Sequence, residues 1–226
     1  MRIPRLVLTL LLLGTPVAAV VATTTVASAD PFTYTSVDVG NSAACAITND
    51  GSAVCWGSNR DQYLIASSRE LDITIPTKVP LPNNDRFVTI AGGANRTWCG
   101  LAVSGKVYCW GDHHTGSYWS PSSRTPVAVE FPHAMTITEV HSGYSNGCAI
   151  NTDAELWCWG DILESGSGQT EPMRTPVKVA MPNNEQVIDF DNGGASCAVT
   201  DLGNIYCWGH SNGAGQLGIG YVNNFA

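Results

Sequence analysis

"SAACAITNDGSAVCWG", residues 42–57, sets two cysteines ten positions apart across Asn49-Asp50-Gly51 and follows the second with Trp56-Gly57. The arrangement returns as "TWCGLAVSGKVYCWG" (97–111), "NGCAINTDAELWCWG" (146–160) and "ASCAVTDLGNIYCWG" (195–209). Each cysteine pair is centred on one residue, 50, 104, 153 or 202, which suits a hairpin with a three-residue loop. The last loop position needs a positive φ, and glycine stands there as Gly51, Gly105 and Gly203. Ala154 is the departure in the third copy and implies strain or a different loop. Across such a ladder the two cysteines face each other with Cα atoms about 4.5–5.5 Å apart, within disulfide reach. The expected bonds are Cys45–Cys55, Cys99–Cys109, Cys148–Cys158 and Cys197–Cys207, each stapling its own hairpin. Zinc is the rival reading of eight cysteines, but zinc ligands usually come two to four residues apart and no such pair exists here.

The tryptophans after the second cysteines, Trp56, Trp110, Trp159 and Trp208, are spaced by 54, 49 and 49 residues. A period near 50 marks an array of one supersecondary unit. The remainder of the unit repeats as "PTKVPLPNNDRFVTIAGG" (76–93), "PVAVEFPHAMTITEVHSG" (126–143) and "PVKVAMPNNEQVIDFDNGG" (176–194). Helical spacing is absent, while short Val, Ile, Thr and Tyr runs bounded by Gly, Pro and Asn are strand signals. Each unit offers about four strands: one after Pro-x-x-Val, one before the glycines and the two cysteine strands. Four-stranded units at this period point to an all-β chain, a β-propeller in which each sheet is a blade packed on the next. The tryptophans read as core residues between blades.

The first residues bear on the compartment. Arg2 and Arg5 precede the apolar run "LVLTLLLLGTPVAAVVA" (6–22), and Ala27-Ser28-Ala29 follows. This is the pattern of a secretory signal peptide, residues 1–29, cleaved after Ala29. An uncleaved anchor is the alternative, but Gly14, Thr15 and Pro16 interrupt the run. Cleavage removes two of the 11 basic residues, leaving 9 against 19 acidic and a net charge of −10 over 197 residues. So acidic a chain, with no basic run, is repelled by phosphate backbones, so neither nucleic acid nor, after cleavage, a membrane surface is an expected partner. The expected location is secreted, extracellular or periplasmic, where an even number of regularly spaced cysteines reads as disulfides.

The repeat resembles that of the regulator of chromosome condensation family, whose units end in a pattern close to Cys-Trp-Gly-x-Asn-x-x-Gly-Gln-Leu-Gly. The last unit here reads "CWGHSNGAGQLGIG" (207–220), and the likeness spans residues 33–226. It implies a propeller, usually of seven blades, and a binding scaffold that holds protein partners through loops on one face. Relatives include a nucleotide exchange factor for a small GTPase and a secreted inhibitor of β-lactamase. The whole units are expected at about 76–111, 126–160 and 176–209. A first unit, 33–57, lacks its Pro-x-x-Val strand, and 210–226 begins an incomplete one. Four units imply an incomplete open arc, a fragment of a longer chain or an arc whose open faces self-associate.

The segments between Trp-Gly and the next proline differ most between units: "SNRDQYLIASSRELDITI" (58–75), "DHHTGSYWSPSSRT" (112–125) and "DILESGSGQTEPMRT" (161–175). By the resemblance they lie on the partner-binding face, and Arg60, Tyr63, His113, His114, Tyr118 and Trp119 are the candidate contacts. The alternative for Trp119 is packing beneath its own loop. Adjacent His113 and His114 diverge on an extended segment, so no metal is expected. No Gly-x-Ser-x-Gly and no Gly-rich phosphate loop with a lysine is present. Glu70/Asp72 and Asp189/Asp191 read as solvated positions. The expectation is a non-catalytic protein without cofactor that binds an unidentified protein. An exchange-factor or inhibitor role, an extracellular hydrolase and a cell-surface structural module are the alternatives. Asn95-Arg96-Thr97 is a glycosylation sequon, meaningful only in a eukaryotic secretory pathway.

Overall fold

Each Cys-x9-Cys segment closes on itself as an antiparallel hairpin, and two further strands flank it. The computed structural model describes residues 33–94, 96–112, 122–144, 146–160, 166, 168, 173–209 and 212–222, so the expected signal peptide lies outside the described residues. The first sheet comprises β1 (Tyr34–Val39), β2 (Ala43–Thr48), β3 (Ala53–Ser58) and β4 (Asp72–Val79). The second comprises β5 (Phe87–Gly92), β6 (Thr97–Ala102), β7 (Val107–Gly111) and β8 (Ser123–Ala128). The third comprises β9 (Ile137–Ser142), β10 (Asn146–Asn151), β11 (Leu156–Gly160) and β12 (Met173–Lys178). The fourth has three strands, β13 (Val187–Asn192), β14 (Ser196–Thr200) and β15 (Ile205–Trp208). Four meandering sheets stacked in chain order form an open propeller arc.

The blade boundaries differ from those suggested by the repeat. The Pro-x-x-Val strand ends the preceding sheet instead of opening the next: Val79 pairs with Ala53, and Lys178 with Trp157. The 33–57 unit therefore has all its strands, and among the described residues it is the last sheet that holds three. A sequence period fixes the length of a unit but not its phase, and chain reversal after Trp-Gly brings the outer strand back beside the cysteine strand it follows. Proline fits there because the register shifts opposite each tryptophan. Three outer-strand residues, ending in Pro76, Pro126 or Pro176, oppose one on the neighbour, and such a bulge needs no ladder N–H from proline.

The hairpin loops take the three-residue form. Residues 48 and 52 bond as N–H to carbonyl at 2.9 Å, 102 and 106 at 2.8 Å, 151 and 155 at 3.2 Å, and 200 and 204 at 2.9 Å. Ala154 occupies the glycine position at φ 57° with the same turn. In the first loop the Thr48 hydroxyl, then the Ser52 N–H, hold the Asp50 carboxyl down at about 2. The cysteines are joined as 45–55, 99–109, 148–158 and 197–207, with Cα atoms 4.1 Å apart. That distance marks a non-hydrogen-bonded ladder pair, the site where side chains lie closest. A loop this short restrains the unfolded chain by somewhat under about 3 kcal/mol per bond.

Strand alternation builds the core. In β7, Val107 and Cys109 face the third blade while Tyr108 and Trp110 face the first, and the other cysteine strands repeat this. Each interface thus sets one blade's disulfide near the tryptophan of the next: Cys45–Cys55 clusters with Trp110, Cys99–Cys109 with Trp159, and Cys148–Cys158 with Trp208. Phe87, Ile90, Val140 and Phe190 fill the spaces between. The first three disulfides are fully buried. Cys197 and Cys207 are partly exposed, because no described blade covers that face.

The linkers between blades are fastened at the hairpin end. "LPNN" at 81–84 makes a tight turn with Asn83 and Asn84 in left-handed conformation, as Asn183 and Asn184 do in "MPNN", a region asparagine tolerates better than most residues. The carboxylate that follows clamps the next hairpin. Glu185, buried, accepts from the Thr200 hydroxyl at 2.5 Å, Asn204 Nδ2 at 3.1 Å and the Tyr206 hydroxyl at 3.0 Å. Asp85 accepts from Ser104 at the corresponding place.

Candidate protein-binding face

The loops that differ between units all leave the sheets at the end opposite the hairpin tips, together with the short turns joining β1 to β2 and β5 to β6. In the first blade one buried asparagine organises the whole excursion. Asn59 Oδ1 accepts the N–H groups of Leu64 and Ile65 at 3.1 and 2.8 Å, and Nδ2 reaches the carbonyls of Ser68 and Glu70 at 3.2 and 3.0 Å. Leu64 and Ile65 plug into the core between the first two blades. Fixed at both ends, residues 60–63 are pushed outward, with Asp61 and Gln62 at φ 61° and 62°. Asn212 does the same work after the fourth blade, accepting from Leu217 at 2.9 Å and donating to the Tyr221 carbonyl at 2.6 Å.

Arg60 is exposed and Tyr63 half-buried on this face. Between them and the second blade stands Arg96, in the β5–β6 turn at φ 59°. Its guanidinium lies 3.4 Å from Asp61, 3.2 Å from Asp112 and 5.8 Å from the centroid of the Tyr63 ring. Arg124 donates through Nε to the Asp61 carbonyl at 2.9 Å, and the Ser122 hydroxyl to Asp112 at 2.9 Å. The turn can sit this close only because Gly111 follows Trp110: a Cβ there would stand 2.0 Å from the Arg96 carbonyl. Half-exposed ion pairs contribute about 0.2–1 kcal/mol each, and a cation over a ring about 0.5–1 kcal/mol. The cluster thus orders the face more than it stabilises the fold. Beside it Asn41, Ser42, Ser58, Arg60, Thr74 and Arg96 line an open depression of about 670 Å³.

The other candidates separate. His113, His114, Tyr118 and Trp119 lie outside the described residues, as do His210 and Asn95. His133 packs edge-on against Trp157 and His141 against Phe190, in different interfaces. Glu70, Asp72, Asp189 and Asp191 are exposed. Among the described residues no three His, Cys, Asp or Glu side chains are placed to hold a metal ion. Sequence reading missed Asp61, Arg96, Asp112 and Arg124. The departure of "GGANRT" from its counterparts in the other units was the signal available.

Comparison with known proteins agrees with this architecture. The model of the regulator of chromosome condensation (RCC1) repeat matches residues 34–62, which run from β1 through the first hairpin into the Asn59 loop. The first blade thus matches an RCC1 repeat. RCC1-repeat relatives include the ultraviolet-B receptor UVR8 of Arabidopsis thaliana, 27% identical over 190 residues, 81% of this chain and 42% of the receptor. Human WBSCR16 superposes with a TM-score of 0.73 at 18% identity, over 88% of this chain and 52% of that one. Prp20p of Saccharomyces cerevisiae superposes with a TM-score of 0.62 at 18% identity, over 79% of this chain and 44% of its own. The chain spans about half the length of these RCC1-type structures.

Proposed function

We propose that this chain is a non-catalytic, exported propeller scaffold that binds another protein through the loop face of its blades. The observation that carries the reading is the Asn59-organised loop, which holds Arg60 and Tyr63 out beside Arg96 on a frame of repeated, disulfide-stapled sheets. Rigid frames with unlike loops are how repeat proteins present binding residues. In support, the solved Prp20p structure is described together with its binding to Gsp1p and histones. Four disulfides favour an oxidising compartment.

The test is capture of a partner from culture medium on immobilised protein, scored by mass spectrometry. Wild type is compared with Arg60→Glu/Tyr63→Ala on the loop face and Arg86→Glu/Lys106→Glu at the hairpin end, all checked for unchanged melting. Retention should fall at least about tenfold for the first pair alone, a loss of about 1.4 kcal/mol. Equal retention by both variants would remove the loop face from the reading. Export is read from the amino terminus of the recovered protein, expected at Asp30.

A further inference from the structure

The depression of about 670 Å³ on the loop face is lined from the first blade and from the β5–β6 turn of the second, and its charge runs against that of the chain. The protein is acidic, with 19 Asp and Glu against 11 Lys and Arg. The charged side chains lining the depression are two arginines, Arg60 and Arg96, and one carboxylate, Asp72. Arg60 is exposed, and its guanidinium makes no hydrogen bond or ion pair among the described residues. Arg96 gives one N–H to Asp61 at 3.4 Å and one to Asp112 at 3.2 Å, which leaves the rest of its donors for a ligand. Both arginines stand on braced backbone. Asn59 fixes the loop that begins at Arg60. The turn carrying Arg96 leans on the third blade, where the Ala94 N–H reaches the Gly143 carbonyl at 3.3 Å. A Cβ at Gly93 would stand 2.3 Å from that same carbonyl, so the two turns are packed to contact. Donors held in place before a ligand arrives lose little ordering entropy when it binds.

We propose that this depression takes one carboxylate, an aspartate or glutamate side chain of the protein partner, on the guanidinium groups of Arg60 and Arg96. The site rests on the loop-face reading and names what the partner presents there. A planar guanidinium donates two parallel N–H groups to the two oxygens of a carboxylate, a match that lysine does not offer. The neighbouring acids limit the charge of the ligand. Asp72 lines the depression, and Asp61 and Asp112 stand behind Arg96. A group with a single negative charge gains from the arginines, whereas a dianion meets twice the repulsion from these carboxylates. That balance favours a carboxylate over a phosphate.

The probe is the blocked tripeptide acetyl-Gly-Glu-Gly-amide, whose one charge is the glutamate carboxylate, titrated into the full chain and followed by the arginine side-chain N–H resonances. Saturable shifts are expected at Arg60 and Arg96 and not at Arg86, at the hairpin end. The matching glutamine tripeptide should bind at least about fivefold more weakly, and Arg60→Gln should weaken binding of the glutamate tripeptide as much. Asp72→Asn removes the carboxylate of the lining and should tighten binding about two- to fivefold. Both variants replace exposed side chains, so melting should be unchanged. Equal binding of the two tripeptides, undiminished affinity in Arg60→Gln, or affinity that does not rise in Asp72→Asn would overturn the proposal. So would tighter binding of the phosphoserine tripeptide, which would assign the depression to a dianion. Loss of partner capture by Arg60→Glu/Tyr63→Ala without tripeptide binding would remove the carboxylate site and leave the loop-face reading standing. Tripeptide binding with capture independent of the loop face would sink that reading instead.

Discussion

Ala154 sits at φ 57° where Gly51, Gly105 and Gly203 sit at 79°, 81° and 77°. Its Cβ is strained there, and Ala154→Gly should raise stability by about 1 kcal/mol, read from denaturant unfolding; a destabilising change would mean that the methyl group packs usefully. Arg96 makes the opposite case, a non-glycine residue at φ 59° whose side chain is engaged with two carboxylates and a ring. Arg96→Gly relieves the backbone while losing weak exposed contacts, so stability should stay within about 1 kcal/mol of wild type. Reduced partner capture by that variant would then report a lost contact. Repetition made the first residue legible, since three glycines announce what the fourth position must do. Arg96 has no counterpart to be compared with, and its partners Asp61 and Asp112 are 35 and 16 residues away. Only folding brings them together.

The hairpins could be read from sequence because every interaction that defines them is local: a three-residue loop, a positive φ and two opposed thiols. The outer strand could not be assigned, because a Pro-x-x-Val run is equally extended beside either neighbouring sheet and only long-range pairing decides. Burial orders the hairpins. Three disulfides are fully enclosed and Cys197–Cys207 is partly exposed, so mild reductant followed by alkylation should label Cys197 and Cys207 first. Labelling of Cys99 and Cys109 ahead of them would contradict the uncovered face. The linker clamp has its own signature. The Thr200 hydroxyl, then Asn204, hold the Glu185 carboxyl below its usual range. A group whose pKa is lowered by folding stabilises fully above its unfolded value and loses that contribution as pH falls through the folded one. The melting midpoint should therefore exceed that of Glu185→Gln at neutral pH, with the gap closing below the ordinary glutamate range. A gap independent of pH would assign the difference to packing.

At the scale of the whole arc, each blade touches only its neighbours, and stability is close to a sum over blades and the interfaces between them. Among the described residues the second blade is covered on both sides and the fourth on one. Amide exchange should thus be slowest in β6 and β7 and faster in β14 and β15, and a uniform rate would indicate that the arc opens as one unit. The period showed that blades exist and that they stack in order. It could not show which described sheet holds three strands, since that depends on the phase of the unit. The prolines of the three outer strands carry a further consequence. Pro76, Pro126 and Pro176 leave gaps in the row of hydrogen-bond donors along the periphery, where natural sheets place such residues as gatekeepers against amyloid-like fusion. Crowded molecules are thereby discouraged from zipping together side by side along these strands.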